Sequence, residues 1–262
     1  MMTRLARYSS FIVAALCVAL PLAGFAPAAA AEVKVLNANA LTIAMKEIAA
    51  DFTRETGIAV SFTGVSPGQV EQRIKAGEIY DLVITATASA AAFEREGRFR
   101  AGSRRPLARV GIGVAVRDGV TVDLSTVEST RKLLIDAKTI TYSDSSTGGL
   151  SGINAQKVLA NLGLTDAVKS KTKLSKGLEE GQAQIAKGEI EVGLFNLSEI
   201  PRAPGVVRAG PVPAEVEVYI NYDAALPAAN ANPADALALL AALQRPATRP
   251  VWDKAGLEVV AE

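Results

Sequence analysis

The chain of 262 residues contains no histidine and a single cysteine, Cys17. Without histidine there is no serine–histidine triad and no histidine ligand for a metal. Charge of either sign is not in excess, with 28 Lys and Arg against 27 Asp and Glu. A nucleic-acid binder should carry a basic surplus, so the balance argues against that class. There is also no uninterrupted apolar run of the roughly 20 residues a membrane-spanning helix needs.

The first residues carry a different signal. Arg4 and Arg7 precede the apolar stretch Phe11–Phe25, which Pro21 and Gly24 interrupt. Ala29 and Ala31 then occupy the small positions of an A-x-A cleavage site, so residues 1–31 are expected to be a secretory leader. Cys17 lies inside the apolar stretch behind Leu16, where a lipid-bearing cysteine would follow a small residue. It is expected to leave with the leader, so the mature chain from Glu32 has no disulfide and no thiolate for zinc. The expected compartment is the periplasm, with no stable membrane insertion after cleavage. Loss of Arg4 and Arg7 leaves 26 basic and 27 acidic residues, a mature net charge of −1.

About 230 residues remain, enough for two modest domains. Apolar runs at Val33–Leu36, Ile58–Phe62 and Asp81–Thr85 read as strands. Between them, Leu41, Met45, Ile48 and Phe52 recur at helical spacing up to Gly57, and Val70 and Ile74 mark a shorter helix ending at Gly77. Val110–Val116 is a further apolar run, after which the pattern restarts. Ser125 and Glu128 are expected to form a capping box for a helix through Ile135. Thr139–Ser143 and Ile190–Leu197 read as strands, Gly152–Leu162 and Leu178–Lys187 as helices. Val216–Ala225 alternates like a strand, and Asn232 and Pro233 open a last long helix that Pro246 halts. The expected architecture is α/β with two lobes, each a mainly parallel sheet flanked by helices, and a cleft between them. The lobes are expected at 32–110 plus 217–262 and at 111–216.

Ligands of open α/β sheets sit beyond the carboxyl ends of the strands. The loops there are Asn37–Ala40, Gly64–Gly68, Thr85–Thr87, Ser143–Gly152 and Phe195–Asn196. They are rich in Ser, Thr, Asn and Gly and poor in charge. Hydroxyls, amides and helix dipoles can hold an anion without a lysine or arginine. The same residues are also common in caps and turns, so each loop alone says little.

Several stretches together resemble the periplasmic molybdate-binding proteins and their relatives among type II solute-binding proteins. They are Ala40-Leu41-Thr42 with Ala44-Met45 and Ile48, then Ile74-Lys75-Ala76-Gly77 to Asp81-Leu82-Val83-Ile84. Ser151-Gly152 to Leu162-Gly163-Leu164, Lys187-Gly188-Glu189 to Val192-Gly193-Leu194, and Leu197-Ser198-Glu199 continue the likeness. The resemblance implies the substrate-binding component of an ABC importer, without a cofactor and without catalysis. Its partners would be a small anionic solute, a permease and an ATPase, and the chain would be a monomer. The resemblance also implies a ligand set: two first-lobe hydroxyls, second-lobe amides and a tyrosine. These positions fall on Ala40, Ser66, Ser151, near Leu178, and on Asn196. Ala40 and Asn196 depart from the pattern, and Pro67 follows Ser66. A lost hydrogen bond to a charged group costs about 1.5–3 kcal/mol, which Asn39, Thr87 or Ser151 could offset. Gly152 lets backbone amides approach. The expected ligand is a small oxyanion such as molybdate or tungstate. The alternative is a carboxylate or another oxyanion, bound for transport or for sensing.

Other motifs carry less. Ser170 and Lys173 match S-x-x-K, a nucleophile motif, but lie in a lysine-rich connection. A periplasmic hydrolase is therefore the weaker class. Gly111-Ile112-Gly113 lacks the third glycine of a dinucleotide fingerprint. Arg104, Arg105 and Arg109 are read as solvated surface, and Asp144 either as a turn cap or as a contact for a ligand amine if the solute is not an anion. Tyr142, Tyr219 and Tyr222 are read as core or hinge aromatics.

Overall fold

The computed structural model describes residues 32–147, 150–200, 204–230 and 232–260. The expected leader with Cys17, and Gly148 and Gly149 of the long loop, lie outside the described residues. The first series is β1 (Glu32–Ala38), α1 (Thr42–Thr56), β2 (Ala59–Val65), α2 (Pro67–Lys75), β3 (Leu82–Ala86), α3 (Thr87–Arg95) and β4 (Arg105–Val110). The second is β5 (Ile112–Arg117), α4 (Val127–Asp136), β6 (Ile140–Ser143), α5 (Leu150–Asn161), α6 (Thr165–Lys169), β7 (Thr172–Ser175), α7 (Leu178–Ala186), β8 (Val192–Asn196) and β9 (Val206–Pro211). The chain then returns through β10 (Ile220–Ala225), α8 (Pro233–Leu243), α9 (Arg249–Lys254) and β11 (Glu258–Val259).

Alternation along the strands sorts the side chains into layers. Val33, Val35, Leu82 and Ile84 pack on one face of the first sheet with Met45, Ile48 and Phe52 of α1, Leu239 and Leu243 of α8, and Trp252. Leu36 and Val83 point to the other face and meet Val70 and Ile74 of α2 and Phe93 of α3. Each such fully buried side chain contributes about 1.5–3 kcal/mol. The second sheet repeats the arrangement. Val114, Ile140 and Leu194 pack against Leu134, Val158 and Leu159, while Ala115 and Phe195 pack against Ile185 of α7.

Strand order is β11-β4-β10-β3-β1-β2 in the first sheet and β7-β6-β8-β5-β9 in the second. The fold is two-lobed, as expected, but parallel pairing is confined to β2-β1-β3 and β7-β6-β8. The remaining ladders are antiparallel. β10, which enters after the return crossing, runs against β3 and β4, and β5, the first strand of the second lobe, runs against β8 and β9. That converts two mainly parallel sheets into mixed ones.

Other local expectations shift. The cap of α4 is Thr126, whose Oγ1 accepts from Ser129 N at 3.0 Å in a capping box with Ser129. Ser125 is engaged one step earlier, its N–H donating to Asp123 Oδ1 at 2.9 Å. β7, β9 and β11 were not legible as strands. All three lie at sheet edges, where lysine and proline are tolerated because one side of the strand pairs with nothing. The run Val110–Val116 is two strands broken at Gly111, and the strand foreseen from Val216 begins at Ile220.

The break at Gly111 and the segment around Glu217 are where the chain crosses between sheets. Glu217 Oε1 accepts from Ile112 N and from Val218 N, both at 2.8 Å, and so fastens one crossing to the other. A Cβ at position 111 would fall 2.5 Å from Glu217 Oε2, so a side chain there would push the carboxylate out of this bridge. Burial pushes the Glu217 carboxyl up to about 7, and the Glu258 carboxylate adds to the rise; the two amides and Arg109 oppose it. An unfolded glutamate titrates near 4.3, so the folded state holds the extra proton between about pH 4.3 and 7. The stabilising contribution is complete below that window and is lost as pH rises through it. Glu217→Gln keeps the accepting oxygen for both amides and removes the charge. Its melting temperature should match the wild type near about pH 4 and exceed it near about pH 8.5, measured by thermal denaturation across that range.

Candidate functional site

Five strand ends converge on one cleft of about 730 Å³ between the sheets. After β1 come Asn39 and Ala40 in a short 3-10 turn; after β2 comes Ser66; after β6, Ser143 leads to Leu150 and Ser151. Lys176, Gly177 and Leu178 follow β7, and Asn196 ends β8. Each site brings the amino end of a helix or turn to the cleft, with its unpaired N–H groups and positive end. All five strands belong to parallel ladders, so within each sheet their carboxyl ends face the same way.

The local chemistry differs from a simple anion cradle. Ser66 is committed to its own helix: its Oγ accepts from Gln69 N at 3.3 Å, and Gln69 Oε1 accepts from Ser66 N at 3.1 Å. Pro67 at the first position of α2 removes one amide. Ala40 is buried and offers no hydroxyl. Ser151 is buried, and its Oγ accepts from Asn196 N at 3.2 Å, tying α5 to the end of β8. At α7, Glu180 Oε2 accepts from Lys176 N at 2.6 Å, so part of that amino end is answered by the chain itself. Glu179 and Glu180 both line the cleft beside Lys176.

Of the eight residues foreseen as ligand-binding, Asn39, Ala40, Ser66, Ser151, Leu178 and Asn196 line this cleft; Thr87 and Gly152 do not. Thr87 Oγ1 donates to buried Asp223 Oδ1 at 2.7 Å, and Arg104 reaches the other oxygen of Asp223 at 2.6 Å and Glu94 at 3.1 Å. This chain of partners spends the Thr87 hydroxyl inside the first lobe. It also makes Arg104 a structural ion-pair residue, and Arg109 likewise pairs with Glu258 at 2.6 Å under the ring of Tyr219. Gly152 is a packing requirement, because a Cβ there would meet Ser143 O at 2.0 Å.

Sequence reasoning missed Tyr222, Glu199, Gln69 and Gln72, which also line the cleft. Tyr222 sits on β10, between β3 and β4, a place that no local pattern shows. Burial, and secondarily the charge of Glu199, raise the pKa of its hydroxyl, which stays a neutral donor. Ser170 ends α6 and Lys173 stands exposed on edge strand β7, both outside the cleft, so the S-x-x-K motif is not assembled at a site. Asp144 Oδ1 accepts from Ser146 N at 2.9 Å as a turn cap. Among the described residues, no group of three or more Asp, Glu, Cys or His could hold a metal ion, and no helix is long and apolar enough to cross a membrane.

A two-lobed α/β protein with strand-end loops gathered at an interlobe cleft is the architecture of a solute-binding protein. Residues 33–258 match the model of the family described as bacterial extracellular solute-binding protein, and the chain belongs to that family. It is 32% identical over 199 residues to the molybdate-binding protein ModA of Azotobacter vinelandii, covering 73% of this chain and 75% of that one. It is 25% identical over 233 residues to an aconitate isomerase of a Pseudomonas species, covering 86% and 87%. The solved periplasmic molybdate-binding protein of Azotobacter vinelandii superposes with a TM-score of 0.68 at 21% identity, covering 88% of this chain and 99% of that one. That structure shares the type II periplasmic binding-protein fold.

The packing at α5 gives a direct test. Gly152→Ala should cost about 1–3 kcal/mol, because backbone at Ser143 must move. Gly177→Ala, in extended backbone with open space around its Cβ, should stay within about 0.5 kcal/mol of wild type. Urea unfolding of the two variants measures both.

Proposed function

We propose that the chain is the periplasmic solute-binding component of an ABC importer and that it captures a small organic carboxylate in the interlobe cleft. The lobes, taken as 32–110 plus 217–262 and 111–216, close on the ligand by bending at the Gly111 and Glu217 crossings, and the closed form docks on a permease driven by an ATPase. Export by cleavage of residues 1–31 and a monomeric state belong to the same reading.

The observation that carries it is the convergence of helix amino ends at Asn39, Ser66, Leu150 and Leu178 on a cleft whose described lining holds a single lysine. Such ends favour negatively charged oxygens without cationic side chains. Three features move the preference from molybdate or tungstate to a carboxylate. Ala40 and Pro67 remove donors from the side that would grip a tetrahedral oxyanion. The cleft volume leaves room for an extended ligand. A relative over most of the chain is named for aconitate, a tricarboxylate.

The same relative favours a second reading, isomerisation of a carboxylate in the cleft. Glu179, Glu180 and Glu199 are the carboxylates in the cleft able to exchange a proton. Incubation with aconitate followed by proton NMR in deuterium oxide separates the two: a binder leaves the isomer ratio and the carbon-bound protons unchanged.

A thermal-shift panel tests the main proposal. Ligand at a hundred times its dissociation constant stabilises the fold by about 2.7 kcal/mol. Citrate, aconitate, malate or succinate should raise the melting temperature, and molybdate, tungstate and sulfate should not. A shift with molybdate or tungstate alone would return the cleft to the oxyanion of its relatives.

A further inference from the structure

We propose that Glu217 makes the hinge proton-sensitive: a neutral Glu217 holds the lobes apart at the ligand cleft, and its ionisation draws them together there. The inference rests on the preceding reading that the lobes bend at the Gly111 and Glu217 crossings.

The crossings stand between two cavities. Besides the ligand cleft there is one of about 680 Å³, bounded by Asp123 and Pro213 of the second lobe, Asp253 and Glu258 of the first, and Gly111 and Glu217 themselves. Adjacent residues divide between the two. Asn196 and Ile220 line the ligand cleft, whereas Leu197 and Tyr219 line the second cavity. Successive residues of extended chain face opposite ways, so the cavities lie in front of and behind the crossings. Each is walled by both lobes. Bending about the crossings that narrows the front therefore widens the rear.

Glu217 accepts both crossing amides through Oε1. A proton on Oε2 leaves that clasp intact, so titration changes the charge at the hinge and not its connections. The groups around it are mostly acidic. Asp123 faces the rear cavity from the second lobe, Asp253 and Glu258 from the first. Arg109 is engaged by Glu258 at 2.6 Å and lies over the ring of Tyr219, whose hydroxyl donates to Glu258 at 3.2 Å. Arg208 of β9 is held by the carbonyl oxygens of Leu197 at 3.4 Å and Lys254 at 3.1 Å. Narrowing the rear brings Asp123 toward Asp253 and Glu258 and takes Glu217 further from water. An ionised Glu217 resists both changes, because it loses hydration and adds a like charge; a neutral one does not. Burial already lifts its carboxyl to about 7, so the two forms exchange near neutrality. By linkage, a ligand that closes the front expels the proton and binds more tightly as pH rises through that value.

Spin labels test this. The chain from Glu32 has no cysteine, so Lys75→Cys and Lys187→Cys can carry a label pair. Both positions are exposed, beside or at the far ends of α2 and α7, whose amino ends meet at the cleft. Their separation, read by double electron–electron resonance without ligand, should be shorter at about pH 8.5 than at about pH 5.5, on either side of the Glu217 transition. Glu217→Gln should keep the longer separation at both. A wild-type separation that is constant, or that lengthens toward the higher pH, overturns the inference and requires no substitution at 217 to fold. A shortening that persists in Glu217→Gln also overturns it. Citrate, aconitate and molybdate are then added in turn at fixed pH. If pH leaves the separation unchanged but one of them shortens it, the proton coupling falls and the hinge stands. If neither pH nor any of them moves it, the bending itself is overturned.

Discussion

Parallel pairing of β2-β1-β3 and of β7-β6-β8 is the constraint on which the site depends. Parallel strands must return through a helix, so each carboxyl end delivers a chain reversal and a helix start to the same edge of its sheet. Two such edges face each other across the gap. The polar loops there follow from that geometry, because helix amino ends need caps whether or not a ligand is present. What is particular to this chain is how its own side chains already answer several of those amino ends.

Ser66 spends its hydroxyl on Gln69, Glu180 takes the amide of Lys176, and Asp223 takes the hydroxyl of Thr87. Each internal partner lowers the pull on a compact, fully charged ion. What remains is a broad polar cleft in which neutral donors, a lysine and three glutamates are mixed. Such a lining recognises a ligand by the pattern of its donors and acceptors more than by its charge. Shared ancestry with molybdate binders is therefore compatible with a different cargo.

The helices and interior strands were legible because their periodicities are strong. Leu41, Met45, Ile48 and Phe52 mark α1, and the unbroken apolar runs of β3 and β8 mark buried strands. Edge strand β7 was not, since Lys173 and Leu174 are exposed and a sequence such as Thr-Lys-Leu-Ser has no hidden face to advertise. The loops of the cleft could be found from the rule that sites lie at strand ends. Thr87 met that rule and still fell outside, because its partner Asp223 comes from a strand 136 residues away. Tyr222 was read as a core or hinge aromatic, and its place at the cleft went unread for the same reason. Its position beside the cleft is set by the insertion of β10 between β3 and β4, which is a property of the whole chain.

That insertion also orders the assembly of the molecule. The middle of the first sheet is β10, made of residues that follow the entire second sheet in the sequence. As the chain is synthesised, all strands of the second sheet are available before Ile220 emerges, whereas β4 has no native neighbour until then. The second lobe can complete its sheet as a unit, but the first must wait, split into β1–β3 and a lone strand, until its returning segment arrives. The lobe that contributes Asn39 and Ser66 to the cleft is thus begun first and finished last, and the two walls of the site mature in the reverse of their order in the sequence.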